Sequence, residues 1–310
     1  IEIAAKIAAD NNVTGIEFLQ MTSEALNLDE PADILISDMR GKLPILRRHI
    51  PSIIDVRKRL LKPNATLIAK RDRVFACPIQ DINSFDERVG LWALNPLGMD
   101  MSAAAELTSN GWYDWFPEDS CLLAEPGIVT SIDWATVTSP NVDQTLDFVI
   151  STGGVCHGFG LWFETDVDDD ITISTAPDQA KMAYGRAYFP VNAPIEVDMG
   201  THLTVRFIAR LIHDAYVWRW IVSRDGEKLC DLTTLGSFAL SPKTLHRLDL
   251  DAPTKLNAEG KLYQIALEGI EENRSLEAIG ERLLAASPTR FLTVEDGVSF
   301  AGALALAFGD

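Results

Sequence analysis

The residues best suited to chemistry lie in one short stretch, from Asp38 to His49. Asp38 follows an apolar run at 32–37, as expected where a buried parallel strand ends. A basic segment comes next, in a chain that is otherwise acidic; it contains Arg40, Lys42, Arg47, Arg48 and His49. Such a segment suits an anionic or neutral ligand better than a cationic one. The alternative is a solvated helix face.

Other groups of polar residues do not predict a metal site or a hydrolase. The acidic turn lacks the glycine and the terminal glutamate of a calcium loop, which favours a solvated turn; it comprises Asp166, Asp168, Asp169 and Asp170. The five histidines show no metal-ligand spacing, and no nucleophile-elbow motif supports Ser-His-Asp hydrolysis. We therefore expect no bound metal.

Charge and cysteine content narrow the class of protein further. The 310 residues carry 27 Lys and Arg against 45 Asp and Glu, a formal charge of −18. This charge disfavours nucleic acid and favours cationic partners, unless it serves solubility alone. The four cysteines are far apart, without a C-x-x-C pair, which predicts reduced, buried thiols in a cytoplasmic protein. No apolar run approaches the roughly 20 residues of a membrane span.

The elements that must position these residues begin with alternating helix and strand up to about residue 70. The predicted order is a helix through Ile3 and Ile7, strands at 15–19 and 32–37, a helix over 45–61, a turn at 62–64 and a strand at 66–68. This order is typical of an α/β unit with a parallel sheet.

From residue 71 to about 250 the apolar pattern has period two, which predicts a mainly antiparallel β region. Asp225-Gly226 is a strong hairpin signal, and Trp218 and Trp220 share one strand face, which predicts core positions. A more helical stretch interrupts the region at 100–125. Strands are predicted at 145–150, 158–164, 171–174, 203–211 and 217–223.

Helices return from about residue 251. Ser275 is a predicted helix cap, and Thr293 to Asp296 resembles a capping box. This small module carries more acidic than basic residues, which argues against DNA binding and favours packing or protein interaction.

Three stretches resemble the protein arginine methyltransferase family. Residues 32–41 are similar to the family's strand ending in Ser-Glu-x-Met-Gly, and residues 51–68 to its helix followed by Leu-x-Pro-x-Gly and a strand. Residues 98–102, Gly-Met-Asp-Met-Ser, are close to the family's Gly-Phe-Asp-Met-Ser. Weaker likeness at 157–163 and 174–177 extends the resemblance over roughly residues 1–230.

The resemblance implies an α/β + β fold. A partial Rossmann-like methyltransferase domain would cover 1–70, and a β-barrel-like domain would cover 71–250 with a helical arm inserted at about 98–125. A helical module at 251–310, for which a winged-helix-like arrangement is one option, lies outside the family pattern. The resemblance also implies S-adenosylmethionine as cofactor and a homodimer made through the arm.

The donor site implied by the resemblance is only partly recognisable. Family members hold the donor with a glycine-rich turn after the first strand and an acid after the second. Neither is recognisable here, and Glu2 matches the helix that follows rather than the ribose acid. Ser23 and Glu24 fall where a family Val-Glu pair contacts adenine through its backbone and carboxylate; the alternative is an exposed loop glutamate. We expect a longer natural chain, with much of the cofactor site upstream.

The acceptor site implied by the resemblance is altered twice. Family members hold the substrate guanidinium with two carboxylates nine positions apart. Here the first position is Asp38 and the second is Arg47, which repels a guanidinium. The family's Thr-His-Trp loop corresponds to Met182, Ala183 and Tyr184.

These departures argue against peptidyl-arginine methylation and leave two hypotheses. The first is an S-adenosylmethionine-dependent methyltransferase acting on another protein or small-molecule acceptor, with Asp38 and Arg47 facing that acceptor. The second is a catalytically silent interaction protein that uses the β region and the arm.

Overall fold

The computed structural model describes residues 1–94, 98–238 and 255–309. The chain divides into two compact units, Ile1–Ala239 and Leu240–Asp310. Among the described residues, no helix combines the length and apolar character needed to cross a membrane.

The first unit begins with a small α/β part, in which one helix connects two parallel strands. Its elements are α1 (Glu2–Asp10), β1 (Ala32–Ile36), α2 (His49–Arg59) and β2 (Leu61–Ile68). Helix α2 buries Ile50, Ile53 and Val56, whose spacing of three residues aligns them on one face. The turn predicted at 62–64 is wrong: these residues lie within β2, where the register shifts between its pairings to Ala32 and Ile34.

The strand predicted at 15–19 does not form. These residues have no strand assignment, and Ile16 is 54% exposed. A strand is stabilised by hydrogen bonds to a neighbouring strand, and β1 pairs only with β2 among the described residues. Helix α1 buries none of its side chains.

Short helices follow β3 (Arg71–Gln80), the first strand of the β region. They are α3 (Ile82–Phe85), a π-helical turn (Asp86–Gly90), α4 (Leu91–Ala93) and α5 (Ser102–Ser109). Within the stretch predicted as the arm, α5 is followed by β4 (Tyr113–Asp114), a 3₁₀ turn (Pro117–Asp119) and β5 (Cys121–Leu122).

Two antiparallel sheets form the β region, as the period-two pattern predicted. Besides β4 and β5, their strands are β3 (Arg71–Gln80), β6 (Gly127–Asp133), β7 (Val142–Val149), β8 (Gly154–Asp166), β9 (Thr172–Ser174), β10 (Ala187–Val197), β11 (His202–Ile212), β12 (Ala215–Arg224) and β13 (Glu227–Thr233). A seven-stranded sheet has the order β4-β10-β8-β3-β5, with β6 paired to β3 and β9 paired to β8. A four-stranded sheet has the order β13-β12-β11-β7.

Aromatic side chains from both sheets fill their shared core. The ring of Phe189 lies 5.2 Å from that of Trp218 and 5.1 Å from that of Trp220, centroid to centroid. All three are buried, which confirms the core positions predicted for the tryptophans. Full burial of such a side chain contributes about 1.5–3 kcal/mol. The predicted hairpin also forms, with Asp225 and Gly226 at positive φ.

Cysteine burial follows the prediction at three positions and departs from it at one. Cys77, Cys156 and Cys230 are buried, and burial raises the pKa of each thiol, to about 12 for the first two. Cys121 is exposed, because its strand lies at the end of the seven-stranded sheet.

The second unit is a cluster of three helices within its described part. They are α6 (Ala258–Glu271), α7 (Leu276–Ala286) and α8 (Val294–Phe308). Ser275 caps α7 by accepting from the amide of Ala278, and Thr293 with Asp296 forms the predicted capping box. Helices α7 and α8 approach closely at two glycines: a Cβ on Gly297 would lie 2.6 Å from the carbonyl oxygen of Gly280.

Candidate functional site

The candidate acceptor site lies at the carboxyl end of β1, where the loop 37–48 leads to α2. Asp38 is the first charged residue of this loop, and its side chain is 64% exposed. Its Oδ1 accepts a hydrogen bond of 2.8 Å from the hydroxyl of Tyr184, which lies between β9 and β10 of the β region. The same oxygen lies 3.7 Å from Nη1 of Arg40. The Asp38 carboxylate therefore already has a hydrogen-bond donor and a cation from its own chain.

Arg40 is the central residue of the loop, and its side chain is only 6% exposed. Its Nε lies 3.0 and 3.1 Å from the two carboxylate oxygens of Asp72, and its Nη1 donates to the carbonyl oxygen of Ser37. The loop motif Ser-Glu-x-Met-Gly has methionine where this chain has Arg40. A buried cation therefore occupies the position of an apolar side chain.

Asp72 is fully buried in β3 and connects the loop to the β region. Besides Arg40, it accepts hydrogen bonds from Nε1 of Trp134, at 2.8 Å, and from the hydroxyl of Thr165. A buried charge is tolerated when it is paired and hydrogen-bonded on all sides. We call Asp38, Arg40, Asp72, Trp134 and Tyr184 the loop network.

His49, the first residue of α2, packs against this network. It is buried, its ring lies 4.6 Å from that of Trp134, and its Nε2 lies 3.3 Å from Oγ of Ser37. Burial, reinforced by the positive charge of Arg40, lowers the pKa of His49 to about 4. His49 is therefore neutral at physiological pH.

Arg47 stands near the end of the loop and makes no ion pair with Asp38. It is exposed, has a positive φ of 42°, and makes no ion pair with any residue that the structure describes. The basic segment does not form one solvated helix face, because Arg40 and His49 are buried. Lys42 pairs with Asp114 at 2.7 Å, and Arg48 lies 3.4 Å from Glu24.

Ser23 and Glu24, the predicted adenine contacts, lie in a turn held against α2. Nη2 of Arg59 donates to the carbonyl oxygens of both residues, at 2.9 and 3.3 Å. The Glu24 carboxylate is 46% exposed, and within the described chain its amide N–H makes no hydrogen bond. An exposed carboxylate beside a free amide fits the amino group and ring nitrogen of an adenine. The adenine contact itself stays a prediction.

The pairing of Arg40 with Asp72 was not predicted, although the sequence holds one signal for the buried acid. Asp72 alternates with Val74 and Ala76, so the three share a strand face, and all are fully buried. An acid in line with core residues indicates a buried partner, but the partner is 32 positions away. Local pattern does not identify it.

Comparison with known proteins defines the class of fold first. One solved structure, the Trypanosoma brucei PRMT1 enzyme-prozyme heterotetrameric complex with AdoHcy, matches with a TM-score of 0.65 at 20% identity, over 74% of this chain and 77% of that one. Arabidopsis thaliana protein arginine methyltransferase 10, in an open conformation, matches with a TM-score of 0.61 at 22% identity, over 75% and 78%. The fold is thus the α/β + β fold of these methyltransferases.

Sequence comparison finds similar proteins in one family. The family described as the PRMT5 oligomerisation domain matches residues 133–234. Protein arginine N-methyltransferase PRMT10 of Arabidopsis thaliana is 24% identical over 65% of this chain and 61% of its own length. Protein arginine N-methyltransferase 2 of Dictyostelium discoideum is 26% identical over 45% and 29%. These matches support a protein arginine methyltransferase-like family for the chain, which spans less than two thirds of the length of these curated relatives.

Proposed function

We propose that this chain belongs to an S-adenosylmethionine-dependent methyltransferase whose acceptor is neutral or anionic rather than a peptidyl guanidinium. The similarity to arginine methyltransferases supports methyl transfer. The contacts of Asp38 are the main support for a neutral or anionic acceptor, because its carboxylate already contacts Arg40 and Tyr184.

A substrate guanidinium needs carboxylates that are free to accept its hydrogen bonds. At this loop Asp38 is shared with two groups of the chain, and the second carboxylate position holds the cation Arg47. An incoming guanidinium would displace Arg40 from Asp38 and meet the like charge of Arg47. A hydroxyl acceptor meets no such repulsion, and a carboxylate acceptor meets the opposite charge of Arg47. Asp38 and Tyr184 can accept from, or donate to, a neutral acceptor and so orient it.

The exposed carboxylate and free amide of Glu24, next to Ser23, would hold the adenine of S-adenosylmethionine. The cofactor supplies an electrophilic methyl group when bound. His49, neutral and bonded to Ser37 beneath the loop, keeps the loop in position.

The test is methyl transfer by the full-length gene product to an arginine peptide. We expect background transfer for the wild type and a measurable gain for Asp38→Glu/Arg47→Glu, which restores two carboxylates. The control Asp29→Glu/Lys58→Glu also replaces one aspartate and one basic residue by glutamate, but elsewhere in the first unit, and should show no gain. Efficient transfer by the wild type would overturn the acceptor assignment. If the double variant folds and binds the cofactor but shows no gain, the β-region loop around Ala183, rather than Asp38 and Arg47, would be what prevents arginine methylation.

A non-catalytic partner role is the second candidate. The match to an oligomerisation domain over residues 133–234 supports an assembly, and we propose a homodimer through the arm at about 98–125. The loop network, whose charged groups already pair with one another, is also compatible with a subunit that methylates nothing itself. A full-length product that associates but binds no S-adenosylhomocysteine would favour this role.

A further inference from the structure

A groove on the outer face of the seven-stranded sheet has no part in the site described above. Its volume is about 630 Å³, within the range of small-molecule sites. Phe75 and Trp162 form its floor from directly opposed positions on β3 and β8, with ring centroids 6.0 Å apart and planes 12° apart. Since side chains alternate along a strand, Phe75 and the buried Asp72 lie on opposite faces of β3. The groove is therefore separate from the loop network.

Apolar walls and acidic ends complete this groove. Leu122 and Pro126 line one side and Pro177 the other, while Glu164 and Asp178 supply the charges. No Lys or Arg is among the described residues that line it. Glu164 forms a long salt bridge with Nη2 of Arg73 and accepts a long hydrogen bond from Oγ of Ser174, each at 3.4 Å. Its carboxylate thus keeps capacity to accept from a ligand.

The floor also presents a free hydrogen-bond donor. The indole Nε1–H of Trp162 makes no hydrogen bond within the described chain, whereas those of Trp115, Trp134 and Trp220 each donate to a carboxylate or carbonyl oxygen. An extended peptide offers carbonyl oxygens to such a donor, and prolyl rings or aliphatic stems pack on aromatic floors. Its lysine or arginine side chains would meet the partly exposed ring of Phe75 and the two carboxylates.

We propose that the Phe75–Trp162 groove binds an extended, basic peptide segment of a partner protein. Charge complementarity selects this occupant, because every charged residue lining the groove is acidic and the chain carries −18 overall. The proposal is independent of methyl transfer and of the acceptor assignment.

The test measures fluorescence anisotropy of a labelled Gly-Pro-Arg-Gly-Pro-Arg-Gly peptide titrated with the 310-residue chain at physiological salt. We expect saturable binding that is lost when the arginines are replaced by glutamate. Glu164→Gln/Asp178→Asn should weaken binding about three-fold or more, the effect of removing two partly exposed ion pairs. Phe75→Leu, which keeps an apolar side chain, should weaken it as well.

Asp214→Asn/Glu227→Gln is the matched control, because it removes two exposed acids outside the groove. Equal loss in this control would overturn the proposal, since binding would then reflect net charge alone. Unchanged affinity in both groove variants would also overturn it. So would concentration-dependent self-association abolished by Phe75→Leu, because a second copy would then be the occupant.

Discussion

Removing the charge of Asp72 should destabilise the first unit severely. Asp72→Asn keeps the size of the side chain but removes the buried counter-ion of the Arg40 guanidinium, which is 6% exposed, and leaves it only the exposed carboxylate of Asp38 at 3.7 Å. Breaking a buried ion pair by removing one partner costs about 3–5 kcal/mol. The matched control is Arg206→Met, which breaks a geometrically similar pair with Asp143 whose arginine is 50% exposed. Exposed pairs contribute below about 1 kcal/mol.

Urea unfolding followed by tryptophan fluorescence measures this difference. All seven tryptophans lie between positions 92 and 220, so their emission reports the first unit without a signal from the second. The double variant Arg40→Met/Asp72→Leu should be more stable than Asp72→Asn, because no buried charge is left unpaired. If the Asp72→Asn protein is no less stable than the Arg206→Met protein, the Arg40–Asp72 pair is not a stabilising buried ion pair between the loop and the β region.

Two further predictions concern His49 and the glycine contact of the second unit. The pKa of His49 is about 6.5 in the unfolded chain and about 4 in the folded chain, so the free energy of unfolding falls by roughly 3 kcal/mol as pH decreases from 6.5 to 4. In urea titrations at several pH values, His49→Gln should make this decrease smaller. An unchanged pH profile in the variant would contradict the assignment of His49 as a buried, neutral histidine. Gly297→Ala should lower the thermal midpoint of the second unit, measured by helical circular dichroism, because its Cβ meets the backbone of Gly280. Gly302→Ala, in the same helix with its nearest neighbour at 3.8 Å, should leave the midpoint unchanged or raise it through helix propensity; equal effects of the two would argue against close packing of α7 and α8.

Features set by neighbours in sequence were predictable here. The Asp225-Gly226 turn, the Ser275 cap and the Thr293 capping box each depend on residues within three or four positions. The period-two pattern also identified the buried faces of the β region. The predicted strand at 15–19 failed because strand formation needs a partner, which local sequence does not specify.

The candidate site was predictable in position but not in its interactions. The apolar run before Asp38 placed it at a strand end, as the structure has it. The hydrogen bond from Tyr184 spans 146 positions and the bond from Arg40 to Asp72 spans 32. Residue types alone indicated a basic segment, whereas tertiary packing buries Arg40 and His49 and leaves Arg47 exposed.

Binding of S-adenosylhomocysteine to the full-length gene product, measured by calorimetry, tests the proposed function most directly. We expect saturable binding that Glu24→Gln weakens and that Glu30→Gln, at an exposed acid a few residues away, leaves unchanged. Absence of binding at millimolar ligand, in a folded wild-type protein, would contradict the methyltransferase proposal.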